Sequence, residues 1–125
     1  MKLFTIPIYI KVFSNRFVLN ALDETDRELV STPDSPFTTM RLLVGNFCEA
    51  EKTLSQGIKQ LVGKRFIKKS PVALIHPLEK TEGGLSEVEI RIFNELAQGA
   101  GAVKAVVYEG QELSKREALA KLNDA

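Results

Sequence analysis

The sequence predicts one α/β domain spanning residues 1–125, with the element order βββαβαβα and a mixed five-stranded sheet that carries helices on its faces. Two observations predict this class. The chain up to Ser31 alternates apolar stretches with short polar turns, which is typical of antiparallel strands. Beyond it, apolar stretches alternate with segments whose apolar residues have amphipathic helical spacing, which indicates right-handed crossovers between parallel strands. The length suits a single hydrophobic core.

The first part of the chain is predicted to form three antiparallel strands. Leu3–Phe13 has isoleucine at alternating positions, and Arg16–Leu22 follows after a Ser-Asn turn. A polar turn then leads into Glu28–Ser31, a short third strand. The hairpin formed by residues 3–22 could leave an exposed sheet edge suited to strand addition.

A loop and a long helix are predicted next. Thr32–Thr39 has the prolines and polar residues of a loop, and Met40–Val44 is apolar but matches no single element. Asn46 and Glu49 have the spacing of a capping box, in which each residue's side chain bonds to the other's backbone N–H. Gly63 ends the helix. Its apolar face has residues three or four apart, namely Phe47, Ala50, Leu54, Ile58 and Leu61.

Two further strands are predicted in the second half. Pro71–Ile75 reads PVALI, which is wholly apolar, as a strand covered on both faces requires. His76 and Pro77 are expected to end it. We therefore expect PVALI to lie beside the first strand and parallel to it, with Val103–Tyr108 next to PVALI.

Capping boxes mark the starts of the last two helices. Ser86 and Glu89 precede a helix from Glu87 to about Gln98, and Ser114 and Glu117 precede the last helix. The residues expected to face the core are Val88, Ile92, Phe93, Leu96 and Ala100 in the first of these, and Leu113, Ala118, Leu119 and Leu122 in the second.

Composition excludes some classes of function. With 17 basic and 16 acidic residues, no global charge points to nucleic acid or to a membrane surface. No apolar run approaches the ~20 residues of a membrane span, and Pro7 and Lys11 indicate that the apolar start is a strand rather than a signal peptide. The single cysteine, Cys48, cannot form an internal disulfide and is expected in the core. A cytoplasmic protein is expected.

One candidate binding site follows PVALI. His76 lies at the carboxyl end of a central strand, where α/β proteins often bind ligands. Gly83 and Gly84 precede the next helix, and glycines in that position can hold an anion. A lone histidine makes no His-rich metal site, and Glu82 and Glu87 would repel phosphate. A simple loop and a partly buried histidine are therefore favoured over a ligand site, whose weak candidates are His76, Lys80, Thr81, Gly83, Gly84, Ser86 and Glu89.

A basic cluster is the best local charged patch. With Phe66 among its members it could contact RNA or an acidic membrane surface, although a solvated linker face is favoured. Nuclease activity is disfavoured, because the first strand carries Lys11 and no carboxylate for a metal. The cluster consists of Lys59, Lys64, Arg65, Lys68 and Lys69.

Ser86 to Gly110 resembles a segment of the MreB-type bacterial actins that reads approximately T-x-V-E-R-R-A, then A-x-x-A-G-A and a strand. Val88-Glu89-x-Arg91 and Ala100-Gly101-Ala102 match it. Upstream, Glu51–Leu54 and Phe66–Val72 stand where MreB has a helix and a proline-containing approach to a strand. The resemblance covers roughly residues 42–110, and βββαβαβα is also the ribonuclease-H-like order of the first actin subdomain.

The resemblance implies an actin-like domain, but the phosphate loops of that family are missing. Actin-type ATPases carry D-x-G-T-x-x-T between their first two strands, where this chain has Lys11 to Arg16 without aspartate or glycine, and Phe13 would crowd the phosphate path. Glu89 occupies the position of the MreB glutamate that helps position the attacking water, but a capping role is favoured. We therefore expect a non-enzymatic protein-interaction module without a cofactor. Its partner would be another protein, such as a full-length filament protein in cell-shape or cytoskeletal assembly. The alternative is a regulatory domain that binds a small anion or nucleotide at Lys80–Ser86.

Overall fold

The computed structural model describes residues 4–63 and 69–125, which form five strands and three helices in the predicted order. The strands pair in the order β3-β2-β1-β4-β5. The bounds are β1 Thr5–Phe13, β2 Arg16–Ala21, β3 Glu28–Ser31, α1 Phe47–Val62, β4 Ser70–Pro77, α2 Glu87–Gly99, β5 Lys104–Val107 and α3 Lys115–Asn123. Leu3, the predicted start of the first strand, lies outside the described residues.

The position predicted for PVALI is confirmed. β4 pairs parallel with β1, and β5 pairs parallel with β4 on its other side. The strand is longer than predicted, because His76 and Pro77 keep the parallel register opposite Lys11 and Val12 of β1. The strand ends at the predicted His76-Pro77 dipeptide, but both residues belong to the strand, and this places His76 inside the sheet.

The first hairpin lies inside the sheet and not at its edge. β2 pairs with both β1 and β3, while β1 pairs with both β2 and β4. The expectation of an exposed edge at the hairpin is therefore wrong. The physical reason is the crossover through α1, which brings β4 against the free side of β1. Within the described chain, β3 and β5 are the edge strands.

Helices cover the sheet unequally on its two faces. The side chains of Ile6, Ile8 and Ile10 point from β1 into the larger core cluster, where they pack with α1 and α2. Tyr9 points the opposite way, into a smaller cluster with Leu74 and α3. Alternate side chains of a strand point to opposite faces, so β1 is buried on both. Each fully buried isoleucine contributes about 1.5–3 kcal/mol to the free energy of folding.

Two of the three predicted capping boxes are confirmed. The Ser86 hydroxyl accepts from Glu89 N–H at 3.2 Å, and the Glu89 carboxylate accepts from Ser86 N–H at 3.0 Å. The same pair of bonds joins Ser114 and Glu117 at the start of α3. The predicted box at Asn46 is wrong, because its amide instead donates to the carbonyl of Pro36 at 3.0 Å.

Two side chains predicted for the core are exposed. Val88 is 71% exposed; it lies five residues before the buried Phe93, and a spacing of five residues turns a helical side chain by roughly 140°. Cys48 is also exposed. It lies two residues before the buried Ala50, and a spacing of two residues turns a helical side chain by roughly 200°.

Candidate functional site

The turn between β1 and β2 uses its backbone donors within the chain. The N–H of Ser14 donates to the carboxylate of Glu79, which follows β4 at the same edge of the sheet. The N–H of Asn15 donates to the hydroxyl of Thr38 at 2.8 Å. Hydrogen bonds from Ser14, first from its side chain and then from its backbone, lower the pKa of Glu79. A carboxylate of the protein itself therefore lies where this turn would hold an anion.

The loop after β3 is anchored to the same turn. The side-chain oxygen of Asn15 accepts from the N–H groups of Phe37 and Thr38 at 2.8 and 2.9 Å. The ring of Phe37 is fully buried and stacks on Phe17, with 4.8 Å between the ring centroids. This loop is therefore part of the core. Phe13, expected to crowd the turn, is half-buried beneath the guanidinium of Arg16.

The predicted Lys80–Ser86 loop is also bonded internally. The ammonium of Lys80 donates to the carbonyl of Met40 at 2.8 Å. The N–H of Gly84 donates to Thr81 O at 2.9 Å, and the N–H of Leu85 donates to the carboxylate of Glu109 at 2.9 Å. Ser86 N–H is used by the capping box. These four donors of the loop are thus bonded to the protein itself.

Two glycines in that loop have backbone conformations that favour glycine. Gly83 and Gly84 have φ values of 80° and 87°. A Cβ on Gly84 would come within 3.0 Å of the Glu109 carboxylate. The sequence favours a simple loop here over an anion cradle. In the structure, one of the two glycines makes room for the carboxylate of the protein itself.

His76 is fully buried on the α3 face of the sheet. Its Nδ1 lies 2.7 Å from the hydroxyl of Tyr9, and its Nε2 lies 2.9 Å from the carbonyl of Gly110. Tyr9 also accepts from Leu113 N–H at 3.1 Å. The expectation of a loop or partly buried histidine is therefore wrong. Within the described residues no hydrogen bond joins His76 to the Lys80–Ser86 loop, so the predicted site does not converge.

The other polar candidates are dispersed. Lys59 is exposed and Lys69 is half-buried, whereas Lys64, Arg65 and Lys68 of the basic cluster, with Phe66, lie outside the described residues. No group of metal-ligating side chains comes together in residues 4–63 and 69–125. In the same ranges, no helix has the length and hydropathy needed to cross a membrane.

A small apolar groove lies between the loop before α1 and the first half of α2. Its volume is about 60 Å³. Leu42 and Val88, which line it, are 45% and 71% exposed, and Met40, two residues before Leu42 in the chain, is 92% exposed. Isolated exposed apolar side chains are ordinary, but a cluster beside a groove is typical of an interaction surface. The groove is lined by Leu42, Leu43, Val44, Val88, Glu89, Ile92 and Phe93.

Sequence reasoning missed this groove and the partners of His76. Met40–Val44 matched no element, and its apolar character without periodicity was the available signal. Val88 was assigned to the core because its spacing fits the helical stripe. Tyr9 carried a weaker signal, since a polar hydroxyl within an apolar strand needs a hydrogen-bond partner when it is buried.

The strand order and helix placement are those of a ribonuclease-H-like α/β fold, as found in actin-like proteins. A structure of a non-polymerising MamK mutant bound to AMPPNP superposes with a TM-score of 0.57 at 10% sequence identity. The similarity covers 84% of this chain but only 41% of the MamK chain, so the chain spans less than half of that protein. At this level of identity the likeness concerns the fold alone.

Sequence similarity identifies the family to which the chain belongs. It is 36% identical over 102 residues to the uncharacterized protein YjaA of Escherichia coli (strain K12), covering 78% of each chain. The chain belongs to the family of YjaA. No protein-family model matches the sequence.

Proposed function

We propose that this chain is a non-enzymatic protein-interaction module related to the first domain of the MreB-type bacterial actins. Its partner is a full-length actin-like filament protein, and it acts in cell-shape or cytoskeletal assembly. The observation that carries the proposal is the apolar groove lined in part by the exposed Leu42 and Val88, with the exposed Met40 two residues before Leu42 in the chain. The MreB-like residues of Ser86 to Gly110 begin next to that groove.

The proposal that the chain is not an enzyme is supported by two backbone N–H groups that already bond to carboxylates of the protein. In the β1–β2 turn the N–H of Ser14 is bonded to Glu79, and before α2 the N–H of Leu85 is bonded to Glu109. Nucleotide phosphates would have to displace both carboxylates and would meet their negative charge. Glu89, whose MreB counterpart positions water, is bonded to Ser86 and closes a helix cap.

The groove suits one or two aliphatic side chains of a partner. Its volume is about 60 Å³ and its lining is almost entirely aliphatic and aromatic, with Glu89 at its margin. Because Leu42 and Val88 are only 45% and 71% exposed, covering each would contribute less than the about 1.5–3 kcal/mol of a fully exposed side chain. The similarity covers 41% of the MamK chain, so the corresponding fold there belongs to a longer chain, and a full-length protein of that kind is the occupant that we propose for the groove.

Cosedimentation with a polymerised MreB-type protein from the same genome tests the interaction. We expect the wild-type chain to bind the filament and Val88→Lys to weaken binding by roughly 10–100-fold, because a charge replaces buried apolar surface. Val103→Lys is the matched control, since Val103 is 62% exposed and does not line the groove. No cosedimentation of the wild type, or equal binding by Val88→Lys, would refute the proposal.

Isothermal titration with ATP and Mg²⁺ tests the non-enzymatic part separately. We expect no heat of binding and no phosphate release. Micromolar affinity or turnover that survives purification would contradict it. A nuclear magnetic resonance titration with inorganic phosphate tests the alternative anion site. Binding there would shift the amide resonances of Thr81 to Ser86 and leave the resonances of the groove residues unchanged.

A further inference from the structure

The hydrogen positions around His76 follow from its partners. The carbonyl of Gly110 can only accept, so Nε2 of His76 carries the proton of the neutral ring. The N–H of Leu113 can only donate, so the Tyr9 oxygen accepts from it and the Tyr9 hydroxyl proton points to Nδ1. The chain Leu113 N–H to Tyr9 O–H to His76 Nδ1 therefore has one consistent direction, and it requires neutral histidine.

These bonds connect the sheet to the segment that carries α3. Tyr9 and His76 belong to neighbouring central strands, whereas Gly110 and Leu113 lie between β5 and α3. α3 has only nine residues, and a helix that short is not stable alone in water. It is held by the burial of Ala118 and Leu122 in the smaller core cluster and by the segment before it.

We propose that Tyr9 and His76 form an acid-sensitive latch: protonation of His76 releases residues 109–113 and α3 from the sheet while the rest of the fold stays intact. A proton from solvent would bind Nδ1 and turn it into a donor. The Tyr9 hydroxyl would have to turn its proton away from Nδ1 to accept from it, which leaves that proton without its present partner, and a cation would be buried. Moving the segment away restores water to the ring and exposes Tyr9 and Leu74.

The charged surroundings of His76 have opposing effects on its protonation. Burial, the largest effect, lowers its pKa below 6.5, and Lys11 of β1 lowers it further. The Gly110 carbonyl and Glu112 raise it, and Glu112 is paired with Lys11 at 3.3 Å. The other titratable groups facing this cluster, from β5 and α3, are Tyr108, Glu117 and Lys121.

The latch makes the stability of the closed form depend on pH in a defined direction. Because the pKa of His76 is lowered in the closed form, the stabilisation is complete above the ordinary value of 6.5. It is lost as the pH falls from there through the lowered pKa. Each pKa unit between the closed and released forms favours release by about tenfold. This inference is independent of the partner proposed above.

Nuclear magnetic resonance on the wild-type protein tests it directly, because His76 is the only histidine. We expect the Nε2–H tautomer at neutral pH and a His76 titration below pH 6.5. Amide protection of Ala118 and Leu122 in α3 should fall in step with that titration, relative to Leu54 in α1. An Nδ1–H tautomer would overturn the proposal. So would unchanged α3 protection, or equal loss of protection in α1.

Tyr9→Phe and Tyr108→Phe form a matched pair of variants. Removing the Tyr9 hydroxyl leaves Nδ1 free to accept a proton, so α3 release should move to higher pH. The Tyr108 ring also contacts His76, at 4.7 Å between centroids, but its hydroxyl makes no hydrogen bond among the described residues. Tyr108→Phe should therefore leave the midpoint unchanged. An equal shift in both variants would contradict the latch. If Tyr9→Phe does not fold, the wild-type titration alone decides.

Discussion

The carboxylate of Glu109, which follows β5, accepts a hydrogen bond of 2.9 Å from the backbone N–H of Leu85, just before α2. The amino terminus of a helix carries partial positive charge and unsatisfied N–H groups, so it attracts anions. Here the carboxylate of Glu109, just after the parallel strand β5, occupies that position. The strand order produces this contact, because β5 and the connection from β4 to α2 reach the same edge of the sheet.

Removing Glu109 and Glu79 together should create weak anion binding. In the Glu79→Ala/Glu109→Ala variant the N–H groups of Ser14 and Leu85 lose their carboxylates. We expect sulfate to raise the melting temperature of this variant more than that of the wild type. Glu82→Ala is the control, since Glu82 is exposed and makes no hydrogen bond in the described chain. An equal sulfate effect on all three proteins would show that the carboxylates do not block anions.

Substitutions at Glu89 separate capping from catalysis. Glu89→Gln should be nearly silent, because an amide oxygen also accepts from Ser86 N–H. Glu89→Ala should lower the free energy of unfolding by roughly 0.5–2 kcal/mol. Glu117→Gln and Glu117→Ala provide the matched pair in α3, with the same geometry. Thermal denaturation beside a phosphate-release assay measures both roles. Wild-type ATP turnover that disappears in Glu89→Gln without a change in melting would indicate catalysis.

Arg27 should stabilise the end of α1. Its guanidinium donates to the carbonyls of Leu61 and Gln60 at 2.7 and 3.3 Å, where the helix leaves carbonyls unpaired. We expect Arg27→Ala to lower the free energy of unfolding in urea by about 0.5–1.5 kcal/mol. Arg91→Ala, which removes only an exposed pair with Glu95, should cost about 0.2–0.5 kcal/mol. Similar costs would mean that Arg27 acts only as a surface charge.

Acid should loosen the β1–β2 turn in a pH range separate from that of His76. Since the pKa of Glu79 is lowered from 4.5 by its bonds to Ser14, the associated stabilisation is complete above pH 4.5 and lost as the pH falls through the lowered value. Glu79 is exposed to solvent, so the effect should be small. The amide resonance of Ser14 should follow this titration, and in Glu79→Gln it should not. A Ser14 resonance that titrates identically in the variant would assign the effect to another group.

Much of the fold follows from local sequence patterns. The wholly apolar Pro71–Ile75 predicts a strand buried on both faces, and the structure places it between β1 and β5. The capping boxes at Ser86 and Ser114 were predictable because both partners lie three residues apart on one turn. Asn46 has the same spacing to Glu49, yet the carbonyl of Pro36 in the preceding loop takes its side chain. A competing partner from outside the helix is invisible to a local pattern.

The candidate sites depend on contacts between distant residues. Ser14 and Glu79 are 65 residues apart, and Tyr9 and His76 are 67 apart. The sequence by itself determined that strands and helices alternate, where two helices begin, and that the phosphate-loop residues of actins are missing. Only the tertiary structure decided that Val88 borders a groove and that His76 is buried. Periodicity specifies which side chains share a face, but the face that is covered depends on how the whole sheet orders its strands and where each helix crosses them.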